Sequence, residues 1–321
     1  MADKLQKCII TFSGGLATDF GPSFTGAPQG QSIQLPFFLR ADNILYELDG
    51  APRKVGGSTI YGTRLDESGS GVSVQGLYDY WLQGVAGSET QNYIAYAGTQ
   101  LLKSTNVSGT WSAIKTGLES GKEPCFETFK ALMIWASTSL VDVPQSWDGS
   151  SPTTQNLGAS APRFAFMAKH KNLLFAAGVA TTPSRLYFSD TLDPTVWTGG
   201  ASGSIDIDPD DGDRIVAIVS HKNELIVFKG PNRLSVHRIT GSSPSGSDAF
   251  ARVPFVAGVG GIGQNGTFRI NDDLVFPSPR GLHSLAATAA FGDYVEAFLA
   301  RPILTLYQDQ LNHSVLNQAW G

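Results

Sequence analysis

The densest cluster of chemistry-bearing side chains in this chain is acidic. Asp206, Asp208, Asp210 and Asp213 lie within the run Asp206-Ile-Asp-Pro-Asp-Asp-Gly-Asp213. Carboxylates at alternating positions beside a glycine offer the oxygen ligands that a hard cation such as calcium needs, which makes these four the candidate metal ligands. The run departs from the EF-hand loop, because Asp211 stands where that loop has its glycine and no glutamate occupies the twelfth position. A solvated loop between strands is the reading that this pattern favours, and no cofactor is expected.

Other catalytic groupings are harder to assemble. The histidines His170, His221, His237, His283 and His313 are scattered one per segment, without a metal-ligand spacing such as His-x-x-x-His. His170 and His221 each precede a lysine and an apolar run, which reads as repeated strand geometry. There is no Gly-x-Ser-x-Gly elbow and no Walker loop, and the glycines of Gly258-Val-Gly-Gly-Ile-Gly263 open no helix. A glycosidase needs two carboxylates across a groove, and nothing in the spacing singles out a pair such as Glu127 and Asp142. No catalytic residue is assigned, and the chain reads as a non-enzyme.

Five apolar runs recur along the chain roughly every 40 to 50 positions. They are Asn92–Gly98, Lys130–Ala136, Lys171–Ala177, Asn223–Lys229 and Asn271–Pro277, each followed by turn residues and a second short strand-like run. Repeats of that length built from short strands predict an all-β chain, a β-propeller with five recognisable blades, five to seven in total, and few short helices. Nearly continuous apolar runs suit strands buried on both faces, and these are expected to be the inner strands of the blades. The remaining strands of the later blades are expected at 140–143, 186–188, 234–239 and 282–285. Residues 1–40, polar and glycine-rich, are expected to form an extended arm, with the propeller over 41–321. A hairpin is expected around Asp49-Gly50, and a short helix over 296–307, interrupted at Pro302. The chain stops at Gln318-Ala-Trp-Gly321, inside what reads as another blade, so the propeller is expected to be shortened at this end or completed by another chain.

Composition narrows the class. The chain has 321 residues, 36 of them glycine and 17 proline, which argues for tight turns over long helices. A net charge of -5 supplies no basic footprint for tight nucleic-acid binding, while remaining compatible with a smooth conduit for DNA. Cys8 and Cys125 are too few for a disulfide framework and read as thiols of a reducing compartment. No apolar stretch approaches the length of a membrane span, and no secretory leader is expected from the first residues.

Two local motifs, Ser104-Thr-Asn-Val-Ser-Gly-Thr-Trp111 and Ser189-Asp-Thr-Leu-Asp-Pro-Thr-Val-Trp197, resemble the Asp-box of sialidase-like propellers. In that box the Asn or Asp caps turn amides and the Trp plugs between strands, a structural device. A wider resemblance covers about 161–306, where Ala161-Pro-Arg-Phe-Ala-Phe-Met, Arg185-Leu-Tyr-Phe-Ser-Asp, Asp213-Arg-Ile-Val-Ala-Ile, Asn223-Glu-Leu-Ile-Val-Phe-Lys-Gly-Pro-Asn and Arg280-Gly-Leu-His-Ser-Leu follow one another. This order, with the earlier Gly14-Gly-Leu-Ala-Thr-Asp-Phe and Leu48-Asp-Gly-Ala-Pro-Arg passages, is similar to the propeller-containing tail nozzle, or tail hub, proteins of short-tailed bacteriophages. The resemblance implies a virion structural protein, made in the host cytoplasm and assembled as a homohexamer below the portal and adaptor. It implies a channel that retains and releases viral DNA without sequence-specific contacts, and loops that anchor tail fibres or spikes. The rival expectation is a sialidase-like propeller that binds or hydrolyses glycans.

Overall fold

The computed structural model describes residues 44–46, 52–54, 72–83, 89–105, 109–139, 141–291, 307 and 309. A hairpin pairs β1 (Ile44–Tyr46) with β2 (Pro52–Lys54), where the sequence predicted one. Five antiparallel sheets follow, each made of strands consecutive in the chain. The first contains β3 (Val74–Gln83), β4 (Glu89–Ala97), β5 (Gln100–Thr105) and β6 (Ser112–Lys115). The second contains β7 (Pro124–Phe129), β8 (Leu132–Ser137), β9 (Gln145–Trp147) and β10 (Gln155–Asn156). The third is β11 (Phe166–His170), β12 (Leu173–Ala177), β13 (Arg185–Phe188) and β14 (Gly203–Asp206). The fourth is β15 (Arg214–His221), β16 (Glu224–Gly230), β17 (Ser235–Thr240) and β18 (Ala251–Ala257). The fifth has three strands among the described residues, β19 (Phe268–Ile270), β20 (Asp273–Ser278) and β21 (Gly281–Ser284), and leads into helix α1 (Leu285–Phe291). Four-stranded meanders stacked face to face are the blade architecture of a β-propeller.

The stacking follows from where the apolar side chains fall. Tyr80, Ile94 and Tyr96 of the first sheet meet Met133, Trp135 and Trp147 of the second in one buried cluster. Ile134 and Ala136 of the second meet Met167, Leu174 and Ala176 of the third. Phe175 and Leu186 of the third meet Ile218, Leu225 and Val227 of the fourth. Ala217, Ile226 and Phe228 of the fourth meet Leu274 and Phe276 of the fifth. Alternate residues of β8, β12 and β16 therefore feed opposite clusters, as expected for strands covered on both faces.

The predicted strand positions hold for most of the chain, with informative differences. The apolar runs are the second strands of their sheets, not the innermost. The innermost are the first strands, β3, β7, β11, β15 and β19, which lie at a sheet edge and line the central cavity. The strand expected at 140–143 is, over 141–143, a loop: the Ser139 hydroxyl accepts hydrogen bonds from the amides of Val141 (3.0 Å) and Asp142 (2.9 Å), diverting the backbone from a ladder. Leu285 opens a helix and does not end a strand. The arm at 1–40, the further blade expected where the chain stops at 318–321 and all but the last residue of the helix expected at 296–307 lie outside the described residues. That last residue, Tyr307, is buried and donates a 2.8 Å hydrogen bond to the Ser278 carbonyl.

The second Asp-box-like motif is a structural staple. Ser189 Oγ accepts from the Leu174 amide (3.0 Å), and Asp193 accepts from the amide and hydroxyl of Thr195 (2.9 and 2.6 Å). Trp197 lies buried against Phe164, its indole N–H donating to the Pro194 carbonyl (2.8 Å). Gly158 is required beside it, because a Cβ there would stand 2.1 Å from the Thr195 carbonyl oxygen. Trp111 of the first motif is only half-buried, against Ala95, Ala97 and Leu102. Trp197→Ala is expected to lower unfolding free energy by roughly 3–5 kcal/mol and Trp111→Ala by about 1–2 kcal/mol, in urea titrations of the two variants.

Candidate functional site

The five first strands converge on one cavity of about 700 Å³, lined by Leu77 and Tyr78 of β3, Cys125, Phe126 and Glu127 of β7, Met167 and Lys169 of β11, Ile218 and Ser220 of β15, and Phe268 and Arg269 of β19. An edge strand exposes unpaired backbone groups, and here polar side chains tie β3 to β7, β7 to β11, β11 to β15, and β15 to the segment that leads into β19. Tyr78 and Thr128 hydroxyls are 2.7 Å apart, joining the first and second sheets. Glu127 accepts from the Lys169 amide (3.4 Å) and the Lys169 ammonium donates to the Thr128 carbonyl (3.3 Å), joining the second and third. His170 Nδ1 and Ser220 Oγ, 2.9 Å apart, join the third and fourth. Gln264 then pairs with both backbone groups of Ile218, its Oε1 accepting from the amide (2.8 Å) and its Nε2 donating to the carbonyl (2.9 Å). Gln264 occupies the place of a neighbouring strand with a side chain.

Electrostatically the cavity is mixed. Glu127 is the one carboxylate among the described lining residues, and burial pushes its carboxyl above the ordinary range, with Lys169 and Arg269 opposing that shift. Burial pushes the Cys125 thiol up to about 12, which leaves it unreactive at neutral pH. Burial and the neighbouring Lys171 bring His170 down to about 4, so it is neutral in the folded protein at pH 7. Asp142 does not share the cavity with Glu127; it accepts a hydrogen bond from the Glu119 amide (3.0 Å) in the loop after β8. Two carboxylates facing each other across a groove, as glycoside hydrolysis needs, are therefore not formed by that pair.

The candidate calcium ligands lie together but point at the chain's own cations and amides. Asp206 receives two hydrogen bonds from the Arg185 guanidinium (2.6 and 2.9 Å), which holds its carboxyl below the usual range. Asp208 pairs with Arg252 and lies 3.8 Å from His237. Asp210 faces solvent. Asp213 is buried, and burial opposes its ionisation. The amides of Asn232 (2.8 Å), Leu234 (2.9 Å) and Arg233 (2.8 Å) outweigh that effect and hold the carboxyl below the ordinary range. Among the described residues no three His, Cys, Asp or Glu side chains converge as a metal centre. His313 and Cys8 lie outside them.

The centre of this acidic loop is Lys229, which pattern reading did not single out. Its side chain is wholly buried, and its ammonium donates to the carbonyls of Ile207 (2.6 Å) and Asp208 (2.7 Å) and to the Asp211 carboxylate (2.7 Å). Three donors meet three acceptors, which is what makes a buried ammonium tolerable. The available signal was a lysine closing the apolar run Leu225–Phe228. The glycine run passes directly over it: a Cβ on Gly260 would stand 2.5 Å from the Lys229 carbonyl oxygen, so these glycines serve close packing.

Lys229→Met leaves the Asp211 carboxylate and two carbonyls without their donor and is expected to destabilise the fold by roughly 3 kcal/mol, read by denaturant unfolding. Glu127 yields a pH prediction. A folded pKa raised above the unfolded value of 4.5 gives stability that is present below that value and lost as pH rises through the folded one. Glu127→Gln is therefore expected to raise the melting temperature at neutral pH and leave it unchanged in acid.

No protein-family model matches the chain, and no curated protein matches it. Among solved structures the chain is similar to one in the crystal structure of the mitotic checkpoint complex, at 10% identity and a TM-score of 0.43, over 74% of each chain. It is similar to BamB from Moraxella catarrhalis, at 9% identity and a TM-score of 0.37, over 73% of this chain and 62% of that one. It is also similar to the extracellular domain of the hybrid two-component system BT4673 from B. thetaiotaomicron, at 12% identity and a TM-score of 0.39, over 70% of this chain and 32% of that one. Similarity of this degree carries neither a ligand nor an activity to this chain.

Proposed function

We propose that the chain forms the blades of a β-propeller and serves as a structural component of a short-tailed phage tail, a nozzle or hub subunit. On this reading the five sheets described above are five blades of a ring of five to seven, and identical chains assemble head to tail into a hexameric ring. The ring lies below the portal and adaptor, retains and releases the genome, and anchors fibres or spikes through the loops between blades. The observation that carries the reading is the use made of the cavity's polar groups. Tyr78, Glu127 and His170 are each engaged in holding one first strand to the next, and Gln264 holds β15 to the segment leading into β19, as a scaffold requires. The order of sequence passages across 161–306 supports the tail assignment in particular.

Light scattering and negative-stain micrographs of the purified chain test this directly. A sixfold ring is expected, with no release of chromophore from an aryl sialoside. A deletion of residues 1–35 is expected to abolish the ring while leaving the melting temperature of the monomer nearly unchanged. A stable monomer that hydrolyses the sialoside overturns the proposal in favour of a glycan-acting propeller.

A further inference from the structure

Tying strands together leaves some of the cavity's polar groups unused. In the second to fifth sheets the penultimate residues of the first strands are Thr128, Lys169, Ser220 and Arg269. Each pairs with the second residue of the following strand, Met133, Leu174, Leu225 and Leu274 in turn, so the four stand at one level. Thr128 is taken up by Tyr78. The other three line the cavity from three successive sheets, and each carries a hydrogen-bond donor.

Those donors are largely free. Lys169 gives one N–H to the Thr128 carbonyl (3.3 Å), and the Arg269 guanidinium makes no hydrogen bond or salt bridge among the described residues. Ser220 Oγ meets His170 Nδ1 at 2.9 Å, while His170 Nε2 is buried without a partner. A bare buried acceptor is better tolerated than an orphaned N–H, which places the imidazole proton on Nδ1. Nδ1 then donates to Ser220, and the serine's own O–H is left for the cavity. The acidic groups nearby are turned elsewhere. Glu127 Oε1 accepts from the Thr128 amide (3.1 Å) and Oε2 from the Lys169 amide (3.4 Å), so both oxygens face backbone. Asp272 pairs with Lys222 (3.5 Å), and Asp273 accepts from the amides of Leu274 (2.8 Å) and Ala286 (3.1 Å). Asp79 of β3 accepts from Trp81 and Gln91, both at 2.9 Å. Two cations against one carboxylate leave the cavity lining with a surplus of positive charge.

We propose that the cavity binds a small phosphate monoester with an aromatic or other apolar body, its phosphate held by Lys169, Ser220 and Arg269. An ammonium, a hydroxyl and a guanidinium on three strands match a dianion with three terminal oxygens. A carboxylate, with two oxygens and one charge, would leave one of the three without an acceptor. The rest of the lining receives the body: Phe126, stacked on Tyr78 at 5.2 Å between ring centroids, with Met167, Ile218 and Phe268. A cavity of about 700 Å³ is the size of a small-molecule site, roughly 300–1,000 Å³, and far exceeds what inorganic phosphate fills. A nucleic acid carries the same group but is too large to be enclosed there. The proposal does not rest on the tail reading, because the cavity belongs to one chain whether or not chains form a ring.

Equilibrium dialysis of the full chain against phenyl phosphate, near neutral pH and at low salt, tests it. One molecule is expected to bind per chain, with inorganic phosphate about tenfold weaker for want of the ring and benzyl alcohol not retained. Lys169→Gln and Arg269→Gln are each expected to weaken phenyl phosphate about tenfold, the loss of one charge-assisted contact. Both side chains are exposed, so the two variants are expected to keep the parent melting temperature, which separates a lost site from a lost fold. Lys222→Gln, outside the cavity lining, is expected to change nothing. No retention of phenyl phosphate, or retention that both cavity variants leave unchanged, overturns the proposal. So does inorganic phosphate or benzyl alcohol binding as tightly as phenyl phosphate, or a DNA oligonucleotide binding more tightly. Ring assembly in micrographs has no bearing on any of these results.

Discussion

The fold depends on burying one strand per sheet on both of its faces. β8, β12 and β16 contribute alternate residues to two different apolar clusters, so the second, third and fourth sheets are each completed by both neighbours. Aromatic contacts fix the approach: Tyr96 meets Trp135 edge-on at 5.4 Å between ring centroids, and Phe228 meets Phe276 at 4.8 Å. Such a core is a chain of interfaces with no single centre. A polar residue at any of these second-strand positions would therefore damage two sheet contacts at once.

The same constraint explains what was legible in the sequence. A strand covered on both faces must be apolar throughout, which is why Leu173–Ala177 and Leu225–Phe228 stood out and why their spacing revealed the repeat. It also misled. Continuous apolarity suggested the innermost position, whereas the innermost strands border an open cavity and carry Tyr78, Glu127, Lys169 and Arg269. The outermost strands β10, β14 and β18 were missed because their side chains are largely exposed and follow no apolar period. Pairing partners far apart in the chain were illegible for a different reason. Nothing in Asp206–Asp213 announces that Arg185, Lys229 and Arg252 will claim its carboxylates.

Polar chemistry in this molecule is divided between two regions. Around the cavity it joins strands, and in the loop after β14 it holds a buried ammonium among carbonyls and a carboxylate. Each of the three Lys229 donors meets an acceptor, which fixes the geometry of that loop, whereas His170 at the end of β11 keeps a buried Nε2 without a partner.

Gln264 has a consequence for how the protein fails. Five strand edges face one cavity, and an open edge is a template on which any passing β-segment can grow. Convergence excludes such segments, and the Gln264 amide occupies the Ile218 position that would otherwise accept one. Mechanical or proteolytic opening of the stack would uncover several templates together, so the damaged protein should pass into aggregates faster than its loss of stability alone would suggest. The stack is self-protecting only while it is whole.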